Sequence, residues 1–186
     1  MSHHDWMPKA NGAETSTTIY CPQALRDVWC SPPDDPAHGA LAEQWYAQYP
    51  SLFDAQDLRM ARTQWRNHFY EWLVAIYLFQ REGACSMVEK YDQASHARKY
   101  KRYVHIVPEG MVLNLRAIAD EQIVGEDGKH HRVQLPDLFV PSRDESSFYF
   151  AEVKGGSDQL TPRQVKSHEA IEKIGLTVVT IQVELI

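Results

Sequence analysis

An almost uninterrupted apolar stretch in the first half of the chain constrains the fold most strongly. Residues 69–79 read Phe-Tyr-Glu-Trp-Leu-Val-Ala-Ile-Tyr-Leu-Phe, and Glu71 is the only charged residue among them. Apolar side chains recur at the helical period from Trp65 onward, and Gly83 is a typical C-terminal stop. A helix that is apolar nearly all round is buried, so the stretch predicts a central helix. A carboxylate there is costly unless it is paired or contacts a metal ion, which makes Glu71 a candidate functional residue.

The first 60 residues are predicted to form a polar, acidic N-terminal extension that contains one short helix. Residues 1–39 combine Ser, Thr, Pro and Asp without a sustained period, whereas residues 40–49 have the pattern of an amphipathic helix that Pro50 ends. The long central helix is then expected to begin at Asp54, a favourable N-cap residue.

Negative charge is concentrated in this extension. The chain has 19 basic and 25 acidic residues, a net charge of −6, and residues 1–60 hold three basic and eight acidic residues, which account for −5. Residues 61–186, predicted to form one domain, are therefore close to neutral. The chain is not a bulk polycation, so any nucleic-acid binding depends on a local basic face.

Strand-like sequences dominate after Gly83. They occur at residues 84–91, 103–107, 111–117, 133–140, 148–153 and 176–183. The second and third are predicted to pair as a hairpin across Pro108, inside an insertion of about residues 92–132, and another turn is expected at residues 125–128. Between the last two strands, a helix is predicted to begin after Thr161 with a capping box and to end at Gly175. The fold class is therefore α/β, more narrowly α+β.

The hairpin predicted for residues 133–153 carries the sharpest chemical signal. Asp137 lies inside an apolar strand, and Glu152 and Lys154 lie in the partner strand about fifteen residues later. Residues i and i+2 of a strand project from the same face, so Glu152 and Lys154 point together, and the pairing would bring Asp137 near them. Such a group suits metal-dependent phosphodiester hydrolysis, because Mg²⁺ prefers carboxylate oxygens and bridges to phosphate. A simple cross-strand salt bridge is the alternative reading.

A set of short segments carries a family resemblance. They are Pro136-Asp137, Glu152-Val153-Lys154-Gly155, Thr161-Pro162-Arg163-Gln164, and Gly175-Leu176 before a Val-rich strand. Together they resemble the PD-(D/E)xK nuclease superfamily, and among its branches the VRR-Nuc domain (virus-type replication-repair nuclease), over roughly residues 65–184. The resemblance implies a restriction-endonuclease-like α-β-β-β-α-β core around a mixed sheet. It also implies Mg²⁺- or Mn²⁺-dependent DNA cleavage by a metal-activated water, which leaves 5′-phosphate and 3′-hydroxyl ends.

The same resemblance assigns roles by position. Asp137 and Glu152 would be metal-binding carboxylates, and the Val153 carbonyl would be a further ligand. Lys154 would position the attacking water, and Gln164 would support the metal site or the phosphate.

Glu71 occupies the place of the family's first-helix acid, usually a water-mediated metal ligand. The 66 positions from Glu71 to Asp137 exceed what the compact core needs, so Glu82 or Glu89 could take the place of Glu71.

Candidate nucleic-acid contacts fall into two groups. Around the first turns of the last helix, Arg163 and Lys166 would flank a DNA groove, and His168 shares a helix face with Gln164. A basic run earlier in the chain contains Arg98, Lys99, Lys101 and Arg102. For both groups a solvated or packing role is the alternative, since Lys and Arg also protect sheet edges.

Three functions remain open at this point. The first is a divalent-metal-dependent endodeoxyribonuclease, with branched or flapped DNA and DNA repair as one form of the activity. The second is a partner-dependent or non-catalytic module that binds nucleic acid or protein. The third is a nuclease that acts as a toxin or defence component, with residues 1–60 binding a protein partner.

Several expectations concern the setting of the protein. A homodimer is compatible with symmetric cutting of two strands. No bilayer-spanning run or secretory signal is evident, and three irregularly spaced cysteines favour a reducing, cytoplasmic setting.

Overall fold

Seven α-helices and seven β-strands lie within residues 16–120, 122–124, 128 and 130–186, the part of the chain that the computed structural model describes. The helices are α1 (Gln23–Trp29), α2 (Ala40–Gln48), α3 (Ala55–Thr63), α4 (Phe69–Glu82), α5 (Ala97–Ile106), α6 (Glu109–Asp120) and α7 (Pro162–Lys173). The strands are β1 (Ser16–Cys21), β2 (Met87–Val88), β3 (Gln122–Val124), β4 (His130–Arg132), β5 (Leu138–Pro141), β6 (Phe148–Gly155) and β7 (Val178–Leu185). The first 15 residues of the predicted extension, and all of the turn expected at 125–128 except Gly128, lie outside the described residues.

Five strands form one mixed sheet in the order β1-β7-β6-β5-β2. β1 and β6 both run parallel to β7, whereas β5 is antiparallel to β6 and to β2. β3 and β4 form a separate antiparallel pair. The protein is therefore a mixed α+β structure, as the sequence predicts. Along the chain, α4, β2, β5, β6, α7 and β7 succeed one another, and α5, α6, β3 and β4 are inserted between β2 and β5.

Helices cover both faces of the five-stranded sheet. Leu138, Val140 and Ala151 pack into a core shared with α2, α3 and α4. The intervening Phe139 and Phe150 belong to a second apolar cluster, formed with side chains of α5, α6 and α7. Successive side chains of a strand point to opposite faces, so the sheet separates two helical layers.

The predicted hairpin of residues 133–153 is present, with a shorter first strand. β5 pairs with β6 so that Leu138 lies opposite Ala151. The segment before β5 does not join the ladder, because Pro136 has no N–H to donate. Two of its backbone groups bond to side chains: Tyr91 donates its hydroxyl to the Pro136 carbonyl at 2.8 Å, and the Gln134 N–H donates to Ser167 Oγ at 3.0 Å.

The prediction of one continuous helix from Asp54 to Gly83 is wrong, because the structure has two helices there, α3 and α4. Asp54 is indeed the N-cap of α3 and forms a capping box with Asp57. The chain then leaves the helical path, and His68 adopts a left-handed conformation with φ 66° immediately before α4. The break places the N-terminus of α4, with Glu71 in its first turn, at an end of the sheet.

The hairpin predicted for residues 103–117 is wrong, because both segments are helical. In α5 and its C-cap, the buried residues Lys99, Tyr103 and Val107 are spaced four apart, and in α6 Val112 and Leu115 are spaced three apart. This spacing places each set on one helix face, where burial against the sheet outweighs the strand propensity of the individual residues. The strand expected at 84–91 is likewise reduced to the two residues of β2.

Residues 16–60 are built into the fold rather than added to it. β1 forms the edge of the sheet beside β7, and its residues Ile19 and Cys21 are fully buried. Trp29 of α1 and Trp45 of α2 pack against each other and against Phe69 of α4. The sequence interpretation of this region as a polar extension therefore misses its apolar contacts. Within the described residues, no helix has both the length and the apolar character that crossing a bilayer requires.

Candidate active site

Asp137, Glu152 and Lys154 meet at one end of the β5–β6 pair. Asp137 directly precedes β5, and its Oδ2 accepts a hydrogen bond of 2.9 Å from the Val153 N–H on β6. Glu152 and Lys154 project from the same face of β6, and Lys154 Nζ lies 2.9 Å from Glu152 Oε1. The convergence that the sequence spacing predicts is therefore present.

Gln164 connects this group to α7. Its side chain completes the capping box with Thr161, and its Nε2 donates to Glu152 Oε1. Its Oε1 accepts from Lys154 Nζ at 3.0 Å and from the Thr161 N–H at 3.0 Å. One amide thus holds the carboxylate, the ammonium and the helix start in a fixed arrangement.

His168 lies one helical turn further along α7 and is buried beside Glu152. Its Nε2 is 3.6 Å from Glu152 Oε2, which is beyond hydrogen-bond distance. Among the described groups, no hydrogen-bond partner of this buried nitrogen is present. Of the two roles that the sequence leaves open for His168, contact with the phosphate or support of the site residues, this position favours support of the Glu152 carboxylate.

The two central carboxylates have opposite pKa shifts. Burial, followed by the negative charges of Glu152 and Glu71, raises the pKa of Asp137 to about 8. Burial acts on Glu152 in the same direction, but the neighbouring His168 and Lys154 outweigh it and lower the pKa of that group. The site therefore holds one firmly ionised carboxylate and one carboxylate whose charge is unfavourable without a further cation.

Glu71 reaches this site from α4. Burial raises its pKa, and the charges of Glu89 and Glu152 add to the effect. Glu71 is thus electrostatically linked to both sheet carboxylates, because its charge also raises the pKa of Asp137. Glu82, the first alternative in the sequence analysis, lies at the opposite end of α4, about 16 Å away along the helix axis.

Glu89, the second alternative, lies beside Glu71 rather than replacing it. One donor atom from each of His68, Glu71 and Glu89 lies within 4.8 Å of the others. His68 Nδ1 is 3.3 Å from Glu89 Oε1. His68 could not be found from the sequence, because neither the break before α4 nor its proximity to Glu89 has a local sequence signal.

The basic run on α5 is used mainly inside the protein. Lys99 is buried, forms an ion pair with Asp57 and donates to the Val88 carbonyl. Arg98 donates to the Phe53 carbonyl at 3.1 Å, and Arg102 donates to the Cys85 carbonyl at 2.8 Å and pairs with Glu145. The prediction that this run contacts DNA is therefore wrong for Lys99, and Arg98 and Arg102 hold loops in place. Lys101 is exposed.

Other basic side chains line two clefts beside the carboxylates. The cleft next to Glu71 includes Arg26, Arg66 and Lys90, and the cleft next to Asp137 includes Lys90, Arg132 and Arg163. The two clefts adjoin at Glu89 and Lys90, and Glu71 lines the first whereas Asp137 lines the second. Of the cationic residues predicted near the start of α7, Arg163 lies in this lining; it is exposed and donates to the Arg132 carbonyl.

The donor set fits a hard divalent cation. Asp137, Glu152 and Glu71 offer carboxylate oxygens. Because the N–H and C=O of one strand residue point toward the same neighbour, the Val153 carbonyl lies on the Asp137 side of β6. Oxygen ligands of this kind suit Mg²⁺ or Mn²⁺. Burial, and after it repulsion among the carboxylates, raises the pKa of Asp137 and Glu71, and a cation bound between these groups would offset both effects.

Comparison with protein-family models, with curated proteins and with solved structures finds no significant match to this chain.

Proposed function

We propose that this protein is a divalent-metal-dependent endodeoxyribonuclease that hydrolyses DNA phosphodiester bonds. The observation that carries the proposal is the contact network of Asp137, Val153, Glu152, Lys154 and Gln164 at one end of the sheet. A structural salt bridge needs two of these groups. Two carboxylates, an ammonium and an orienting amide in one place, with the charge of Glu71 acting on both carboxylates, suit metal-dependent phosphodiester hydrolysis.

The arrangement of elements supports the proposal. The succession α4, β2, β5, β6, α7, β7 has the α-β-β-β-α-β order of a restriction-endonuclease-like core. In this order Glu71 lies in the first helix, Asp137 just before the second strand, Glu152 and Lys154 on the third strand and Gln164 at the start of the second helix, which supports the roles that the resemblance implies. We therefore propose the PD-(D/E)xK fold of VRR-Nuc type for residues 65–184.

In this mechanism Asp137, Glu152, the Val153 carbonyl and Glu71 would hold the cation. A bound Mg²⁺ or Mn²⁺ polarises phosphoryl oxygens and lowers the pKa of water. Lys154, held between Glu152 and Gln164, presents its ammonium beside the metal-binding carboxylate, where it can orient the attacking water and stabilise developing negative charge. Gln164 keeps Lys154 and Glu152 in register, because its amide bonds to both.

Basic residues on both sides of the carboxylates support DNA as the substrate. Arg66 stacks its guanidinium 4.5 Å from the Trp65 ring, which limits the freedom of the side chain near the Glu71 cleft. Arg132 and Arg163 lie on the Asp137 side. A phosphodiester backbone that follows the two clefts would pass over the carboxylates and contact cations before and after the scissile bond.

Cleavage assays with fluorescent substrates test the proposal. Single-stranded, duplex, flap and four-way-junction DNA, and RNA, are each incubated with Mg²⁺, Mn²⁺ or EDTA. We expect metal-dependent cleavage of DNA that falls by about 10²–10³-fold in Lys154→Ala, the loss typical of removing one preorganised charge-stabilising group. Lys101→Ala, which removes an exposed lysine outside both clefts, should cleave like the wild type.

Two results would contradict the proposal. Absence of cleavage by the folded wild-type protein under all these conditions would favour a binding module that needs a partner. Cleavage that survives Lys154→Ala would place the active site elsewhere.

A further inference from the structure

A group of side chains beside the proposed nuclease site has the composition of a second, different cation site. His68, Glu71 and Glu89 each place one donor atom within 4.8 Å of the other two. Glu71 is also part of the nuclease site, whereas His68 and Glu89 play no part in the mechanism above. All three line the cleft that also contains Gln64 and Lys90, so the group can be reached from solvent.

The imidazole of His68 is oriented by a residue outside the group. Its Nε2 lies 3.0 Å from Gln64 Oε1, an acceptor, which assigns the proton to Nε2, and its Nδ1 faces Glu89. In histidine ligands of metal ions, the N–H of the second ring nitrogen characteristically donates a hydrogen bond to such an outer acceptor, which sets the tautomer and the ring orientation. The arrangement therefore leaves Nδ1 as the donor atom directed at the carboxylates.

The donor chemistry separates this group from the nuclease site. Mg²⁺ is bound through oxygen ligands and retained waters, whereas imidazole suits transition ions. One nitrogen and two carboxylate oxygens with solvent access match a three-residue site that keeps coordination positions open.

We propose that His68, Glu71 and Glu89 bind a divalent transition-metal ion, such as Mn²⁺ or Zn²⁺, at a position adjacent to the Asp137–Glu152 cation and sharing Glu71 with it. This cation position discriminates against Mg²⁺ because one of its ligands is a nitrogen. Metal binding needs Nδ1 without a proton, so a proton held there leaves to solvent, and Nδ1 and the Glu89 carboxylate become ligands. The inference goes beyond the proposed nuclease activity and does not require cleavage.

Mn²⁺ binding measured by electron paramagnetic resonance tests this site without reference to activity. Titration is carried out with excess Mg²⁺, which competes for the all-oxygen position. We expect the wild type to retain one Mn²⁺ per chain and His68→Asn to retain none. Asparagine tolerates the left-handed conformation of residue 68, so this substitution preserves the backbone. Glu89→Gln, which keeps the side-chain size, should behave in the same way.

Three matched variants sharpen the result. Asp137→Asn should retain the Mg²⁺-resistant Mn²⁺, because it alters only the other position. His105→Gln, which removes an exposed histidine of α5, should bind like the wild type. Gln64→Ala should weaken Mn²⁺ binding by about 10–100-fold, the usual effect of removing an outer partner of a ligand histidine.

The proposal is overturned if the wild type retains no Mn²⁺ in excess Mg²⁺, or if both His68→Asn and Glu89→Gln retain it. Thermal unfolding of each variant shows that loss of the ion is not loss of the fold. Failure of this test leaves the cleavage assay with Mg²⁺ unaffected, and failure of that assay leaves this binding result unaffected.

Discussion

At the residue scale, Asp137 stands where its ionised form is disfavoured. Burial and two neighbouring carboxylates raise its pKa to about 8. The hydrogen bond from the Val153 N–H lowers the pKa but does not offset these effects. A carboxyl with a raised pKa in the folded state stabilises the fold at low pH, and that contribution is lost as the pH rises from its unfolded value through about 8. The metal-free protein should therefore lose stability over this range.

Asp137→Asn isolates this effect. The asparagine oxygen can still accept from the Val153 N–H, but the group no longer ionises. In EDTA we expect the variant to be more stable than the wild type by about 1–3 kcal/mol at pH 8.5, with a smaller difference at pH 5. Urea unfolding at both pH values measures the difference. Added Mg²⁺ should stabilise only the wild type. A difference that does not change with pH would show that the charge of Asp137 is not the cause.

Gly155 lies in close contact with the ring of Tyr70. A Cβ atom at this position would lie 2.0–2.4 Å from three ring atoms of Tyr70, so only glycine lets the tyrosine beside Glu71 approach the end of β6. Gly155→Ala should destabilise the protein by about 1–3 kcal/mol, the usual cost of overpacking. Gly110→Ala in α6, where nothing lies within 4 Å, should be neutral or stabilising.

Chemical unfolding of the two glycine variants gives this comparison directly. The double variant Gly155→Ala, Tyr70→Ala should be more stable than the sum of its single effects predicts, because the clash requires both side chains. Additive effects would mean that the alanine is accommodated by a shift of the strand instead.

At the element scale, one buried ion pair connects α3, α5 and β2. Lys99 and Asp57 are each about 5% exposed, and Lys99 also donates to the Val88 carbonyl. Lys99→Met removes the cation and leaves a buried carboxylate without its partner, which should cost about 3–5 kcal/mol. Lys99→Met with Asp57→Asn should cost less than Lys99→Met alone.

A double-mutant cycle of urea midpoints measures this coupling. The same variants address the basic run on α5, because an internal role for Lys99 predicts that DNA affinity per folded molecule is unchanged. Weaker DNA binding by folded Lys99→Met protein would contradict the internal role.

Elements with local signals could be predicted, and those that depend on distant contacts could not. The start of α7 follows from Thr161, Pro162 and Gln164, which specify a cap within four residues. The helical state of residues 103–117 depends on which side chains the sheet buries. The β-branched and aromatic residues there favour a strand locally, while the spacing of Tyr103 and Val107 favours a helix.

The same division applies to the candidate site. Asp137, Glu152 and Lys154 could be placed together because strand alternation and a short hairpin connection fix their relation. His68 and Glu89 could not, because their approach depends on left-handed backbone at residues 68 and 89 and on the packing of α4 against the sheet. The separation of 66 residues between Glu71 and Asp137, by contrast, reflects the insertion of α5, α6 and the β3–β4 pair.

At the scale of the whole molecule, an acidic chain must present a cationic track if it is to bind DNA. The net charge is −6, yet arginine and lysine side chains line both clefts beside the carboxylates. Each phosphate contact releases counterions from DNA, so the salt dependence of binding counts these contacts whereas net charge does not.

Arg66→Gln and Arg132→Gln should each reduce the slope of log K against log salt by about 0.9 for duplex DNA. Lys101→Gln changes the net charge equally, but its exposed side chain lines neither cleft, so its slope should match the parent protein. Fluorescence anisotropy in the Glu152→Gln background, with EDTA, measures binding without cleavage. Equal reductions in all three variants would mean that diffuse charge attracts the DNA. A reduction confined to Arg66 and Arg132, one on each side of the carboxylates, would mean that the backbone crosses the site from one cleft to the other.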